Sequence, residues 1–308
     1  MGLFIAQEEG LLEDVRHFMT SVAGAEFNVA VGLTRLGHEV GYMTKLGSDP
    51  FGRQIIKVMN ANGIDTSLTT LTDQYRTGFM LKSKTSRGDP DIYYFRKGSA
   101  ASTLCPADLD RVDISKWDAV HVTGILPATS ETALAATVCL MKKARAASVP
   151  VFFDPNLRPQ LWPDTATMVR EINALAALAD YILPGENEGK TLCGSADPAE
   201  IGRFYLDLGV KAVIVKTGAD GAWIFRKDSC VHTPAFVVSH IVDTVGAGDG
   251  FAAGVISGLM EGLSLENAVV RGSAIGAIQI MHVSDNEGLP TREELARFMA
   301  ETPRRMGA

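Results

Sequence analysis

The chain has 308 residues, 46% hydrophobic and 21% charged, with 30 Gly and 13 Pro. That is an ordinary globular composition, long enough for a large core, and it excludes disordered and collagen-like classes. Lys and Arg total 29 against 36 Asp and Glu, a formal net charge of −7, with no basic tract; a nucleic-acid backbone, which needs clustered cations, is excluded as a partner.

The first third combines helices with short alternating strands. A helix is predicted over Asn28–Leu36, ended by Gly37, and another begins at Asp49 as N-cap with Pro50 in its first turn and stops near Gly63. Thr66–Leu71, Thr77–Lys84 and Asp91–Phe95 then alternate polar and apolar residues around the turn Ser86-Arg87-Gly88-Asp89-Pro90, which predicts antiparallel strands. A small β appendage of this kind can serve as a lid that closes over a substrate and excludes water. From there the pattern changes. Asp118–Val122, Pro150–Phe153, Tyr181–Leu183 and Lys211–Val215 read as buried strands, separated by helical patterns over Glu131–Ala147, Thr165–Ala179 and Ala199–Leu208. Strand, helix and strand in repetition predicts right-handed crossovers and a mostly parallel sheet covered on both faces.

No apolar run approaches the roughly 18 residues of a spanning helix, so no membrane partner is expected. Cys105, Cys139, Cys193 and Cys230 lie far apart without a Cys-x-x-Cys pair, and the histidines show no ligand spacing. They read as reduced thiols of a cytoplasmic protein without structural zinc.

The strongest motif is Asp243-Thr244-Val245-Gly246-Ala247-Gly248-Asp249-Gly250-Phe251, followed by the small and apolar run Ala252–Leu259. A glycine-rich turn feeding a helix offers unpaired amides and a positive dipole end to an anion. Asp249 would repel phosphate there, yet it has a purpose if it accepts the proton of a hydroxyl attacking that phosphate. From the loop alone, a plain glycine turn with Asp249 as a cap is an equal reading. A second turn, Lys216-Thr217-Gly218-Ala219-Asp220-Gly221, precedes an apolar strand at Ala222–Phe225 and could bring Lys216 to a phosphate, although such turns are more often only turns. Two look-alikes fail. The third glycine of a dinucleotide fingerprint would fall on Phe251, and Gly185-Glu186-Asn187-Glu188-Gly189-Lys190-Thr191 is one residue short of a phosphate-binding loop and carries acids inside it.

With these residues in hand, the chain resembles the ribokinase-like sugar kinases of the phosphofructokinase-B type, nearly end to end. Ala23-Gly24-Ala25-Glu26-Phe27-Asn28-Val29-Ala30 is similar to the family's substrate segment, Gly47-Ser48-Asp49-Pro50-Phe51-Gly52 to a following turn, and Asp243–Asp249 to its C-terminal signature. The resemblance implies a single three-layer α/β/α domain over 1–308, with lid strands drawn from about 11–22 and 66–100. It implies ATP as phosphoryl donor, with magnesium and a monovalent cation as ions, Asp249 as base and the amides of Gly246, Ala247 and Gly248 as anion hole. Asp91-Ile92-Tyr93-Tyr94-Phe95-Arg96-Lys97-Gly98-Ser99-Ala100-Ala101 is most similar to members acting on 2-dehydro-3-deoxygluconate. A guanidinium binds the carboxylate of such a sugar acid with two parallel hydrogen bonds, so Tyr94, Arg96 and Arg158 are its expected contacts.

By the same resemblance Gly24, Ala25, Asn28 and Asp285 line the sugar, and Asn156, Lys216, Gly218 and Gly221 the nucleotide. Glu188, the remnant of the family's Asn-x-x-Glu motif, would act indirectly on the metal. A fructokinase, another sugar kinase or a non-catalytic sugar-acid sensor on the same scaffold are the alternatives, and lids of this type imply a homo-oligomer. Relatives carry a first strand ending in Gly-Glu ahead of the segment that Met1–Ala6 matches. The expectation is either a start upstream of Met1 or a rebuilt sheet.

Overall fold

The computed structural model describes residues 1–85, 90–283 and 285–305; the predicted turn at Ser86–Asp89 lies outside them, as does Ser284. In chain order its first elements are β1 (Gly2–Glu9), β2 (Phe18–Val22), α1 (Ala25–Arg35), β3 (Thr44–Gly47), α2 (Pro50–Ala61), β4 (Thr69–Thr72), β5 (Phe79–Lys84) and β6 (Ile92–Phe95). There follow β7 (Val120–Thr123), α3 (Glu131–Ala146), β8 (Val151–Asp154), α4 (Thr165–Ala176), β9 (Tyr181–Ile182), α5 (Glu186–Leu192), α6 (Pro198–Asp207), β10 (Ala212–Lys216), β11 (Ala222–Arg226) and β12 (Ser229–Thr233). The chain ends in α7 (Ala247–Met260), α8 (Leu265–Gln279) and α9 (Arg292–Glu301).

The predicted buried runs become β7 to β10, each within two residues of its expected bounds. They form the parallel part of a sheet ordered β12-β11-β10-β9-β8-β7, to which β11 and β12 add an antiparallel ribbon. Alternation along each strand sends side chains to both faces. Phe153, Val213 and Val215 pack with Met141, Met168, Ile172 and Tyr205 of α3, α4 and α6. Their neighbours Phe152, Ala212 and Ile214 pack on the other face with Val29 of α1 and Ala252, Val255 and Ile256 of α7. The body is therefore the expected α/β/α sandwich. Helix α7 is buried over ten consecutive residues, Asp249–Gly258. Its partner α8 comes so close that a Cβ on Gly254 would lie 2.6 Å from the Gly272 Cα, which is why small residues fill this stretch.

The first third departs from expectation. Thr66–Leu71 is not an antiparallel neighbour of the following strands: β4 lies parallel to β3, Thr44 opposite Thr69 through Gly47 opposite Thr72. The reason is connectivity, because α2 intervenes and a strand returning after a helix comes back in the same direction. Asp49 caps α2 as predicted, accepting from the Gly52 amide at 2.9 Å. The small sheet instead has the order β2-β1-β5-β6, with β1 parallel to β5 and antiparallel to β2. Residues 2–9, which carry no strand prediction, form one of its two central strands, and Leu3 and Ile5 are buried with Ala23 and Met80.

An interior first strand of the large sheet, as the resemblance implies, is not among the described elements. β7 has β8 as its single strand neighbour and β3 has β4, and residues 44–46 and 120–122 border one large cleft. Among them, the His121 ring is buried with neither nitrogen hydrogen-bonded, and burial lowers its pKa to about 4. The Met1 ammonium is also buried, donates to the Ala23 carbonyl at 2.7 Å, and has its pKa lowered by burial and by Arg96 to about 5. Among the described residues no helix is long and apolar enough to cross a membrane.

Candidate active site

The cleft, about 1500 Å³, runs between the small sheet and the loops at the carboxyl ends of the parallel strands. In a parallel α/β sheet this end is where ligands bind, because crossover loops and helix N-termini converge there. Of the predicted residues, Gly24, Ala25, Asn28, Tyr94, Arg96, Asn156, Arg158, Glu188, Lys216, Gly246, Gly248, Asp249 and Asp285 line it. Ala247, Gly218 and Gly221 do not; a Cβ on Gly221 would lie 2.1 Å from the Thr233 carbonyl, so close packing of β11 on β12 accounts for that glycine.

Asp249 stands in the first turn of α7. Gly246 is the N-cap with φ 81°, and a Cβ there would lie 2.2 Å from the Asp285 carbonyl, so the turn needs glycine both for its backbone and for its neighbour. The Ala247 amide is directed to the Thr244 carbonyl at 3.4 Å, which leaves the succeeding amides of Gly248 and Asp249 as the unpaired donors of the helix start. The Asp249 carboxylate accepts from Asn28 Nδ2 at 2.7 Å and from Asn156 Nδ2 at 3.3 Å. Burial pushes its pKa up to about 7; the Asn28 hydrogen bond opposes this, the Asp154 and Asp285 carboxylates add to it, and Arg158 opposes it. Asn156 has φ 40°, a left-handed conformation that costs energy outside glycine, and its amide is held by Asp154 Oδ1 at 3.0 Å.

Lys216 Nζ meets Asp154 Oδ2 at 2.7 Å. Burial alone would lower its pKa, but Asp154, Glu188 and Asp249 outweigh that and hold the ammonium above the usual lysine value. A Cβ on Gly248 would lie 3.6 Å from Lys216 Nζ, so the cation faces the open helix start. Glu188 spends one oxygen on the Leu157 amide at 2.9 Å and the other on the Gly185 amide at 2.8 Å. Burial raises its pKa, with Lys216 opposing and Asp154 adding. It braces the loop carrying Asn156 and Arg158.

At the small-sheet side Arg96 is 7% exposed, its guanidinium lies 4.3 Å from the Tyr94 ring centroid, and its Nε is buried without a hydrogen-bond partner. Burial, opposed by Tyr94 and Glu26 and reinforced by Arg158, lowers its pKa to about 10. Neither Arg96 nor Arg158 forms an ion pair among the described residues; Arg158 donates to the carbonyls of Asn156 and Leu157. A buried cation without a counter-charge is costly unless a ligand supplies one.

One residue that sequence reasoning missed is Lys82 of β5. Its ammonium is 2.6 Å from Asp243 Oδ2 and 3.5 Å from Asp285 Oδ1, joining the small sheet to both segments that frame Gly246. Asp243 in turn accepts from the Val245 amide at 3.0 Å. The alternating pattern of β5 is the available signal, since Lys82 lies two residues after buried Met80 and shares its inward register, yet carries a charge.

A protein-built metal site is not present: among the described residues no three His, Cys, Asp or Glu side chains cluster to hold one. Asp154 is engaged by Lys216 and Glu188 by two amides, so the residues present fit a magnesium ion that would be held mainly by phosphate and water oxygens.

A family model described as pfkB family carbohydrate kinase matches residues 3–292. A Bacillus subtilis protein named 2-dehydro-3-deoxygluconokinase is 46% identical over 301 residues, 97% of this chain and 93% of that one. Among solved structures, a PfkB protein from Polaromonas sp. JS666 is 44% identical, with a TM-score of 0.89 and 96% of each chain covered. A structure from E. coli described as a ribokinase II with ATP and Mg2+ is 25% identical, with a TM-score of 0.86 over 97% of this chain and 96% of that one.

Proposed function

The chain belongs to the pfkB family of carbohydrate kinases, and we propose that it transfers the γ-phosphoryl of ATP to the terminal hydroxyl of 2-dehydro-3-deoxy-D-gluconate, giving 2-dehydro-3-deoxy-6-phosphogluconate. The observation that carries the substrate class is Arg96, a buried guanidinium with an unpartnered Nε beside a cleft that also holds Asp249. A neutral sugar leaves that cation without a counter-charge; a sugar acid supplies one. The relative named for this activity supports the same choice.

In this reading the carboxylate of the sugar acid is held by Arg96 and Arg158, with Tyr94 stacked beneath Arg96, while Gly24, Ala25, Asn28 and Asp285 surround the hydroxyls. Asp249 takes the proton of the terminal hydroxyl as its oxygen forms the bond to phosphorus and the bond to the departing ADP breaks. A base with a pKa near neutrality is half-ready at physiological pH and gains a proton at little cost. The amides of Gly248 and Asp249 and the Lys216 ammonium face the charge spread over the transferring group. Asn156 and Lys216 border the nucleotide. Magnesium supplies charge neutralisation on the ATP phosphates. The small sheet acts as the lid over the sugar, and its exposed Tyr93 and Phe95, 58% and 50% accessible, form the face by which two copies associate in the cytoplasm.

The test is an assay coupled to ADP release with a panel of 2-dehydro-3-deoxygluconate, gluconate, fructose and ribose. Turnover of the keto sugar acid in preference to fructose is expected. Preference for a neutral sugar overturns the substrate, and binding of the acid without ADP release overturns the reaction.

A further inference from the structure

Asp249 receives its shortest hydrogen bond from Asn28, and the two ends of an asparagine amide are alike in shape but opposite in chemistry, one donating and one accepting. What decides which end faces Asp249 lies one residue further back. Asn28 Oδ1 accepts from Asn286 Nδ2 at 3.0 Å, and the same nitrogen donates to the Val22 carbonyl at 3.0 Å. A carbonyl can only accept, so the sense of every link follows from it. Val22 demands a donor, which turns Asn286 nitrogen inward; Asn286 then donates to the Asn28 oxygen, and the Asn28 nitrogen is left to donate to Asp249 at 2.7 Å. Both asparagines are buried, 2% and 9% exposed, so water does not substitute for these partners.

The segment carrying Asn286 is itself fastened to the helix carrying Asn28. Arg35, two turns further along the same face of α1, donates from Nη1 to the carbonyls of Asn286, Glu287 and Leu289 at 3.0, 3.2 and 2.7 Å. The distance between Asn286 and Asn28 is thereby set by one rigid helix.

We propose that Asn286 is a positioning residue for phosphoryl transfer, holding the Asn28 amide in the one orientation that donates to Asp249. The inference rests on Asp249 as the base. With the amide reversed, the Asn28 oxygen would face the carboxylate and favour its protonated form, which cannot take the proton of the hydroxyl. The charged groups around Asp249 are Asp154 at the end of β8, Arg158 after it, Lys216 at the end of β10, and Asp285 on the Asn286 segment; substitution at Asn286 removes none of them.

The experiment is the pH dependence of kcat for Asn286→Leu, which keeps the size but neither donates nor accepts, and for Asn286→Asp, which only accepts. The acid limb is expected to move upward by about one pH unit in Asn286→Leu, the scale of one hydrogen bond to a charged group, and further in Asn286→Asp. The KM for sugar acid and for ATP should change less than kcat at neutral pH, and kcat should recover at high pH. Should Asn286→Leu fail to fold, Asn286→Ala, which only removes atoms, gives the same reading. A uniform loss across pH with an unmoved limb overturns the proposal, since a merely structural role predicts that. A limb that moves in Asn286→Asp alone also overturns it, because added charge then accounts for the shift. Failure of the base assignment is distinguishable: Asn286 is untouched in Asp249→Asn, and full turnover of that variant rejects the base by itself.

Discussion

The two sides of the cleft treat buried positive charge in opposite ways. On the side built by the parallel sheet, Lys216 is matched by Asp154 at 2.7 Å and lies within the fields of Glu188 and Asp249. On the side built by the small sheet, Arg96 is 7% exposed and has no carboxylate ion-pair partner among the described residues, only the face of Tyr94 and the Met1 sulfur at 3.5 Å. A paired cation holds its geometry before any ligand arrives, whereas an unpaired one gains most when a ligand anion completes it. The first side thus suits a group that every reaction cycle brings in the same place, the phosphate chain; the second suits the group that distinguishes one sugar from another.

The comparison breaks most sharply at Asp249. Asp249→Asn should fold and lose about 10² to 10⁴ in kcat, the usual worth of a general base, measured at saturating substrate; near-normal turnover removes Asp249 from the chemistry. The sign of its pH effect on stability follows from a folded-state pKa of about 7 against 3.8 for an unperturbed aspartate. The folded protein binds more protons between these values, so stability falls as pH rises from about 4 to 7, and Asp249→Asn should flatten that slope in denaturant titrations at several pH values. For activity the base must be unprotonated, so kcat should climb through pH 7 and level off above it.

Lys82 joins the two sides, and Lys82→Met leaves Asp243 and Asp285 facing each other in a buried setting. Breaking a buried ion pair by removing one partner costs about 3 to 5 kcal/mol, readable as a lower unfolding midpoint. An unchanged midpoint would mean that the small sheet is not tied to the Gly246 turn through this lysine. Arg96→Ala should raise KM for the sugar acid by about 10- to 150-fold, corresponding to about 1.5 to 3 kcal/mol for one charged hydrogen-bonded contact, with little change for fructose; equal losses on both would show that the unpaired side does not read the carboxylate. The smallest effect belongs to Tyr94→Leu. Loss of a cation–π contact of about 0.5 to 2 kcal/mol should raise the same KM a few-fold, and no change in KM would leave Tyr94 as packing only.

What was legible in the sequence was local. The buried strands and their helices declared themselves because burial on both faces leaves long β-branched and apolar runs, and the helix cap at Asp49 because a helix start favours few residue types; at α7 the cap is Gly246 and not Asp249, which lies within the first turn. The loop around Asp249 was legible for the same reason: an anion site at a helix start is made by consecutive residues. The small sheet was not. Alternation alone groups β4 with the strands that follow it, although α2 commits it to run parallel with β3, and Gly2–Glu9 gives no strand pattern because it is apolar at one end and polar at the other. Period-2 alternation states that a strand has an inside, never which sheet owns it.

The partners of the site were decided by tertiary structure. Nothing near Lys82 in the sequence indicates that it bridges Asp243 and Asp285, 161 and 203 residues away, or that Asn286 sets the amide facing Asp249. A hydrogen bond depends on distances of a few ångströms and on the sense of donor and acceptor, and both are fixed only once helices, sheet and turns have packed around them. The sequence determined that this chain builds an α/β body with an anion-binding helix start and an aspartate in its first turn. Only the folded arrangement decided that this aspartate would be buried, raised to a pKa near 7 and held by Asn28, because burial and orientation are properties of the packed whole.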